Sequence, residues 1–279
     1  MPELPEVETI KQDLKRLIVG AKILEITTNS AKQVKPSVEV VKKGIEGIVI
    51  KKIGRRAKLL QIFLSNGKIL LIHLKLTGRL LVRKKDEPED NWQRVTIKLK
   101  TQSAKRKSKD LELRFCDLRK FGWMKVIMND ELGIMNDELG IEPLTPDFTL
   151  EKFSQILKTT NQAIKIILMD QAKIAGIGNI YASEALFVAG ISPAKPTKKL
   201  SNLEIKKLKE SIIKVLKAGI KYRGASDQYY LDALGQKGTY QDHFLVYQRE
   251  GKKCLKCGKI IKRITLGGRG TFFCPQCQK

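Results

Sequence analysis

Long apolar runs, export-signal features and dispersed cysteines are all scarce in this 279-residue sequence. No run approaches the roughly 18 apolar residues that a membrane-spanning helix needs. The N-terminus carries prolines and acids instead of the basic and then apolar residues of a secretion signal. Four of the five cysteines lie between Cys254 and Cys277, which argues against a disulfide framework. We therefore expect a folded cytoplasmic protein rather than a membrane or secreted protein.

Acidic residues are also few. The sequence has 54 lysines and arginines against 29 aspartates and glutamates, which gives a net charge of +25. The excess is spread along the chain: nine lysines accompany two glutamates between Lys195 and Lys221, and a second basic run lies between Lys98 and Lys109. Such a distribution favours a polyanionic partner. Charge alone leaves DNA, RNA, an anionic membrane and a merely solvated lysine-rich surface open.

The first residues, MPELPEVETI, combine a helix start with two residues that a helix does not explain. Pro5 suits the first turn of a helix, where its missing N–H costs nothing. Apolar residues then recur at helical spacing over residues 7–18. Pro2 and Glu3 stand before this pattern and contribute nothing to it. Their presence therefore needs another explanation.

The rest of the chain divides into three parts. Short apolar segments such as EGIVIKKIG and KILLIHLKL continue to about residue 128 and predict a β-sandwich. Helical spacing begins near Phe148, and residues 223–241 lack a clear period, which indicates a long loop. We predict an α+β fold with a sandwich domain in residues 1–142, a helical domain in 143–244 and a small module in 245–279. The repeat MNDELGI-MNDELGI at 128–141 is interpreted as a tandem duplication in a tolerant connector.

The C-terminal module carries the strongest local motif, two Cys-x2-Cys pairs separated by sixteen residues: Cys254, Cys257, Cys274 and Cys277. This spacing predicts that four thiolates share one tetrahedral Zn2+. Because every ligand is cysteine, the site is closed and the metal is structural. The intervening IKRITLGGRGTFF predicts a β-hairpin whose tip presents Arg269, which would suit a phosphate or groove contact. A zinc ribbon alone is compatible with many binding modules.

Four further motifs each have a functional and an ordinary interpretation. IAGIGNIYASEALF places a glycine turn before a helix, which suits either an anion site or close helix packing. GRRAKLL puts Lys58 beside a basic strand edge, and IHLKLTG carries His73, one of only two histidines. DLRKFG joins Arg119 to Phe121, a basic and aromatic pair that could fill a gap in stacked bases. None of these motifs decides the function by itself.

Together and in this order, the motifs resemble the formamidopyrimidine-DNA glycosylase family. The matching blocks cover nearly the whole chain: PELPEVET, GRRAKLL, HLKLTG, DLRKFG, LGIEPL, DQAKIAGIGNIYASEALFVAGISP and CPQCQK. The resemblance implies a β-sandwich, a helix–two-turn–helix domain and a β-hairpin zinc ribbon, acting as a monomer on double-stranded DNA held between the domains. The implied reaction removes oxidised purines such as 8-oxoguanine and formamidopyrimidines, then cleaves the resulting abasic (AP) site by β,δ-elimination. The expected location is then the cytoplasm, at the nucleoid.

The resemblance also assigns roles to individual residues. Once Met1 is removed, Pro2 would be the nucleophile and Glu3 the proton donor, while Lys58 would donate the proton for elimination. Arg119 and Phe121 would fill the void left by the flipped base. The remaining implied contacts that bind or position DNA, with Arg269 also counted as catalytic, are His73, Leu76, Lys165, Asn179, Tyr181, Arg263 and Arg269.

These roles agree with general chemistry. A base must leave the duplex before an enzyme can act on it, and damaged pairs open at lower cost. α-Amino groups ordinarily have pKa values of about 7.7–8.0, so part of the population is neutral near physiological pH. Attack of such an amine on C1′ of the sugar would give an iminium. A carboxyl group must lie beside the amine to move protons, and Glu3 is the next residue.

The chain also departs from the family pattern. In HLKLTG, Leu76 replaces the usual wedging methionine and Lys75 replaces a glycine. RGASDQYYLDALGQKG differs from the usual base-reading segment, which leaves lesion preference the least constrained inference. One alternative is an endonuclease VIII-like glycosylase for oxidised pyrimidines, which Leu76 favours and the PELPE start disfavours. The other is a zinc-ribbon nucleic-acid-binding protein without catalysis.

Overall fold

The computed structural model describes residues 1–101, 110–226 and 228–279. Most of the basic run noted between Lys98 and Lys109 lies outside these residues. Two compact units are present: Met1–Asn136 with Tyr222–Thr239, and Asp137–Lys221 with Tyr240–Lys279. The boundaries predicted at residues 142 and 244 stay predictions.

The elements are listed here in chain order. The helices are α1 Leu4–Leu17, α2 Val38–Ile45, α3 Asn129–Asp137, α4 Leu150–Lys158, α5 Ile164–Met169, α6 Asn179–Ala189 and α7 Asn202–Lys221. The strands are β1 Lys22–Thr28, β2 Val34–Lys35, β3 Ile50–Arg56, β4 Leu59–Leu64, β5 Ile69–His73, β6 Gly78–Lys84, β7 Gln93–Lys100, β8 Asp110–Asp117, β9 Trp123–Ile127, β10 Lys262–Leu266 and β11 Arg269–Phe273. The predicted α+β class is confirmed.

Two sheets form the first unit. One has the strand order β1-β7-β8-β6, and the other has the order β2-β9-β5-β4-β3. Except for the short parallel β2–β9 pair, neighbouring strands run antiparallel. Apolar residues of both sheets form one buried cluster, which α1 joins through Val7, Ile10 and Leu14. Helix α1 is thereby fixed against the sheets, with its N-terminus and the two residues before it held in place.

The irregular segment Tyr222–Thr239 belongs to this unit although it follows the long helix α7 in sequence. Arg223 donates to the carboxylate of Asp13 on α1 at 2.6 Å and also bonds Asp232. Asp13 and Asp232 are both fully buried. A buried charge requires such a partner, because desolvation without one is costly. The ion-pair network therefore anchors the predicted loop to α1.

The segment between β1 and β9 contains one helix that sequence reasoning missed. Helix α2 has Ser37 as its N-cap, whose hydroxyl accepts the backbone N–H of Val40 at 3.3 Å. Its residues Val41 and Ile45 are buried in the main cluster. The serine cap followed by apolar residues at helical spacing was the available signal. Its shortness hid it among strand-like segments.

The duplicated MNDELGI segment is more ordered than a connector. Its first copy and the start of the second form α3, and Leu132 is buried against the outer face of the five-stranded sheet. Met135, the first residue of the second copy, packs on the same cluster. The connector interpretation is therefore wrong for residues 129–137: an amphipathic turn of the repeat covers apolar sheet surface.

In the second unit, helices α4 to α7 surround a buried apolar interior, and α6 packs on α7 and on the hairpin strand β11. Residues 174–178 turn the chain into α6, and Gly176 has a φ of +97°. The hairpin β10–β11 turns at Gly267 and Gly268, whose φ angles of 53° and 71° suit a type I′ turn. Arg269 is the first residue of β11 and pairs with Leu266.

Candidate active site and nucleic-acid interface

The N-terminal dipeptide lies at the start of α1, where the fold leaves a small cavity. Pro2 and Met1 line it with Leu76, Gly78 and residues 225–230 of the irregular segment. Met1 is 45% exposed, whereas Glu3 is only 2% exposed. Thus Pro2, Glu3 and Leu76, which are far apart in sequence, come together as the sequence motifs indicated.

Glu6 connects this dipeptide to the irregular segment. Its Oε2 accepts the backbone N–H of Glu3 at 2.7 Å, and its Oε1 accepts that of Ala225 at 2.9 Å. The first bond is one half of a capping box, which satisfies a free donor at the helix start. The hydroxyl of Tyr230 also donates to the Glu6 carbonyl at 3.4 Å. Sequence reasoning gave Glu6 only a helix-dipole role and missed this bridge.

Lys58 and His73 approach each other across the β3–β4 turn. Lys58 is buried, and the residue after it, Leu59, pairs with His73 on β5. The Nδ1 of His73 accepts the backbone N–H of Lys75 at 2.9 Å. Lys75 has a φ of 51°, the left-handed conformation that favours glycine. The hydrogen bond supports this conformation in a residue that has replaced a glycine, and it leaves Nε2 to carry the imidazole proton.

The His73 imidazole is held neutral by its surroundings. Burial, followed by the nearby charges of Lys75 and Lys58, lowers its pKa from 6.5 to about 4. At neutral pH the Nε2–H can therefore donate a hydrogen bond, but the ring carries no positive charge. A phosphate contact made by His73 would be a neutral hydrogen bond.

This lowered pKa predicts a specific acid sensitivity. Because the folded protein binds the His73 proton more weakly than the unfolded chain, stability present above pH 6.5 is lost as the pH falls toward 4. The loss amounts to about 3 kcal/mol at most. His73→Gln should remove this part of the pH dependence in urea unfolding at pH 7, 5.5 and 4.5. His243→Gln is the matched control, and an unchanged slope for His73→Gln would contradict the assignment.

Two turns with predicted DNA contacts are joined by Asp117. Its carboxylate accepts the backbone N–H of Gly122 at 2.7 Å and that of Arg119 at 3.2 Å. It also accepts the hydroxyl of Thr77, the residue after Leu76. Asp117 is 1% exposed, so these bonds form away from bulk water. The wedge turn and the turn at residues 118–121 are therefore held in a fixed relation.

Arg119 and Phe121 form an exposed pair. The Arg119 guanidinium lies 4.7 Å from the centre of the Phe121 ring, which is a cation–π contact. Phe121 is 51% exposed, an unusual position for a large aromatic side chain. The pair can present an apolar surface with one charge attached. Such a surface suits insertion beside a base.

In the second unit, the predicted DNA contacts gather around the zinc hairpin. The Nζ of Lys165 donates to Thr271 Oγ1 at 2.8 Å, and Asn179 Nδ2 donates to the Gly270 carbonyl at 3.0 Å. Lys165 is 1% exposed. Arg263 and Arg269, on the two hairpin strands, are exposed. The arginines can thus reach a ligand directly, whereas Lys165 and Asn179 hold the hairpin that carries them.

Tyr181 has a similar supporting place. It is fully buried and stacks on Tyr240 with 5.1 Å between ring centres. A series of edge-to-face contacts continues from Tyr240 through Phe244 and Tyr247 to Phe272 on β11. Aromatic pairs of this geometry stabilise beyond their buried area. This aromatic ladder joins α6 to the hairpin, and spacing in the sequence gave no sign of it.

Glu184 on α6 holds the chain that enters the zinc module. It is fully buried and accepts the backbone N–H groups of Leu245, Val246 and Tyr247 at 2.8 to 3.0 Å. Burial raises the pKa of the Glu184 carboxyl, and the three N–H donors offset part of that shift. This buried carboxylate fixes the start of the module to the helix that carries Asn179 and Tyr181.

The four cysteines have the geometry of a zinc site. Their Sγ atoms all lie within 4.8 Å of one another. Cys254 and Cys277 are 3.9 Å apart, and Cys257 and Cys274 are 3.5 Å apart. A tetrahedral Zn2+ with bonds of about 2.3 Å places its sulfurs about 3.8 Å apart. The residues therefore fit one structural Zn2+ with no position left for substrate.

Comparison with known proteins identifies the family. Residues 1–124 match the formamidopyrimidine-DNA glycosylase N-terminal domain, and residues 139–230 match the H2TH domain of the same enzyme. Residues 251–279 match a zinc finger found in FPG and IleRS. The chain belongs to the formamidopyrimidine-DNA glycosylase family. The formamidopyrimidine-DNA glycosylase of Carboxydothermus hydrogenoformans is 40% identical over 280 residues, covering 100% of both chains. That of Streptococcus pyogenes serotype M6 is 37% identical over 282 residues, covering 100% of this chain and 99% of the relative.

Solved structures extend the match within the glycosylase family. Lactococcus lactis Fpg in complex with abasic-site DNA has a TM-score of 0.90 at 36% identity, over 99% of both chains. The same enzyme with oxidised-pyrimidine DNA also has a TM-score of 0.90 at 36% identity, over 100% of both chains. A variant of it bound to Fapy-dG DNA reaches 0.91 at 36% identity, again over 100% of both. Among the described residues, no helix is long and apolar enough to cross a membrane.

Proposed function

We propose that this DNA glycosylase removes oxidised purines from double-stranded DNA and then cleaves the abasic strand by β,δ-elimination. The placement of Pro2 and Glu3 is the observation that carries the proposal. The two residues precede a firmly anchored helix and open into the cavity that Leu76 and residues 225–230 line. The likeness to glycosylases with abasic-site and Fapy-dG DNA supports the same substrate class.

The chemistry begins with the Pro2 nitrogen after Met1 has been removed. Its lone pair attacks C1′ while the bond from C1′ to the base breaks and the departing base takes up a proton. The Glu3 carboxyl gives a proton to the sugar ring oxygen as the ring opens, which leaves an iminium between Pro2 and C1′. The iminium acidifies the C2′–H bond, so the 3′ phosphate leaves first and the 5′ phosphate follows. Lys58 supplies a proton during elimination.

The remaining residues would hold the opened DNA. Leu76 enters the gap in the stack, and the Arg119–Phe121 pair fills the space of the flipped base. His73, Arg263 and Arg269 contact the strand backbone, with Arg269 close to the reacting site. Lys165, Asn179 and Tyr181 position the zinc hairpin from behind. The protein would act as a monomer in the cytoplasm, at the nucleoid.

A lesion panel tests this proposal. Single-turnover cleavage should be fastest on duplexes that contain 8-oxoguanine or a formamidopyrimidine, slower on thymine glycol and undetectable on the undamaged duplex. Each protein sample needs mass spectrometry to verify that Met1 is absent. A strong preference for thymine glycol would instead support an oxidised-pyrimidine enzyme, which Leu76 and the Lactococcus complex with oxidised-pyrimidine DNA favour as the second candidate.

A further inference from the structure

A second groove lies on the first unit, outside the Pro2 cavity. It has a volume of about 690 Å³ and is lined by Trp123, three lysines (Lys32, Lys35 and Lys125) and the apolar side chains of Val34, Pro36 and Met135, together with Ala31. Pockets of roughly 300–1,000 Å³ are typical of sites for small ligands. We call it the Trp123 groove. None of these residues was assigned to the proposed reaction.

The indole of Trp123 forms an aromatic surface in this groove. The Lys35 ammonium lies 5.9 Å from the centre of the Trp123 ring, as in a cation–π contact. Trp123 is partly exposed, and its other neighbour is the His73 ring at 5.8 Å. The groove thus begins beside a residue that we propose to contact the DNA backbone. A strand leaving that contact could continue into it.

The charges of the groove are those of an anion site. Lys32 and Lys35 are exposed, and the Lys125 ammonium has only a long contact of 3.8 Å to the exposed Glu131 carboxylate. Such an exposed pair contributes little, so a phosphate could displace Glu131 at low cost. Three ammonium groups around one indole combine backbone neutralisation with a stacking surface. This combination is typical of sites for single-stranded nucleic acid.

The apolar wall comes partly from the duplicated heptad. Met135 is the first residue of the second MNDELGI copy, and it is held by the packing of α3 on the sheet. Its flexible thioether suits contact with the varied faces of bases. A paired base has both faces covered by its neighbours in the duplex, so only an unpaired nucleotide can stack on Trp123. The chemistry therefore favours a single strand over a duplex.

We propose that the Trp123 groove binds an unpaired stretch of single-stranded DNA, with a base stacked on Trp123 and phosphates on Lys32, Lys35 and Lys125. This site goes beyond the proposed base-excision reaction and does not depend on the Pro2 chemistry. It would let the protein hold a single strand while the Pro2 cavity is occupied.

Trp123 can report its own occupancy, because the chain has only one other tryptophan, Trp92. In a Trp92→Phe background, oligo(dT) should quench Trp123 fluorescence and shield it from acrylamide. Base stacking contributes about 1–3 kcal/mol per base, so the quench should saturate. A blunt, undamaged duplex of equal phosphate concentration should leave it nearly unchanged. Equal quenching by the duplex would overturn the single-strand assignment.

Matched lysine variants test where the strand lies. The triple change Lys32→Gln, Lys35→Gln and Lys125→Gln should raise the oligo(dT) concentration for half-quenching by about tenfold or more. A control triple of exposed α7 lysines, Lys206→Gln, Lys214→Gln and Lys217→Gln, should raise it by less than about threefold. Equal effects of the two triples would show general charge attraction and overturn the site. Circular dichroism of each variant checks that it is folded.

Two competitors separate the remaining sources. Saturating abasic-site duplex should leave the oligo(dT) quench in place, and loss of the quench would mean that the strand was using the proposed active site. Thymidine monophosphate should quench only at far higher concentration than the oligonucleotide. Quenching by the monophosphate at similar concentration would make the groove a nucleotide site and overturn the strand proposal. Neither result depends on whether base excision occurs.

Discussion

Pro2→Gly is expected to reduce single-turnover cleavage of abasic-site DNA by at least about 10³-fold, because it replaces the proposed nucleophile with a less ordered primary amine. Proline fixes its own ring, and the Pro2 nitrogen lies directly before the buried Glu3. Glycine loses that fixed direction, so attack on C1′ becomes rare. Borohydride trapping of a covalent protein–DNA adduct measures the same loss directly.

Binding should change far less than catalysis in this variant. The affinity for an uncleaved abasic-site analogue should stay within about threefold, because the proposed contacts of His73, Arg263 and Arg269 are untouched. Protein that retains Met1, verified by mass spectrometry, is the matched control: its amine is displaced by one residue, and no adduct should form. A normal yield of trapped adduct with Met1 still attached would rule out the Pro2 mechanism.

Cys254→Ser should abolish stoichiometric zinc binding and unfold the hairpin. Structural zinc supplies about 10–16 kcal/mol of folding free energy in small finger modules, far more than the short β10–β11 pair can supply alone. Lys165 and Asn179 would then lose their partners Thr271 and Gly270. We expect zinc content below one per chain and an affinity for DNA at least about tenfold weaker.

The fifth cysteine provides the control for this experiment. Cys116 is buried on β8 and lies outside the four-cysteine cluster. Cys116→Ala should retain one zinc and near-normal DNA affinity, with only a modest loss of stability from the smaller side chain. If zinc-free Cys254→Ser protein bound DNA as tightly as the parent, the hairpin would have no part in binding.

Local chemistry made much of this molecule predictable. The thiolate spacing at Cys254 and Cys257 specifies a metal site almost independently of the rest of the chain, and alternating Ile, Leu and Val residues specify strands. Cavity-lining residues such as Pro2 and Leu76 could be grouped because whole motifs resembled a family. These signals lie within a few residues of one another, so the printed sequence displays them.

Contacts across long stretches of chain could not be predicted in the same way. Glu6 reaches Ala225 across 219 positions, and Thr77 reaches Asp117 across 40. No local pattern marks a carboxylate as the acceptor for a backbone N–H that tertiary folding brings near. The aromatic ladder and the groove beside Trp123 have the same origin, since each collects side chains from elements whose packing is set by the whole unit.

The Glu6 bridge has a consequence for how this enzyme could diverge. One carboxylate binds both the residue beside the proposed nucleophile and the segment that departs most from the family pattern. Substitutions near Ala225 that broaden the range of accepted lesions would also disturb Glu3, and so alter the rate of bond breaking. Selection for a new substrate would therefore act on two traits at once, and adaptive changes in this segment should occur together with compensating changes at the start of the chain.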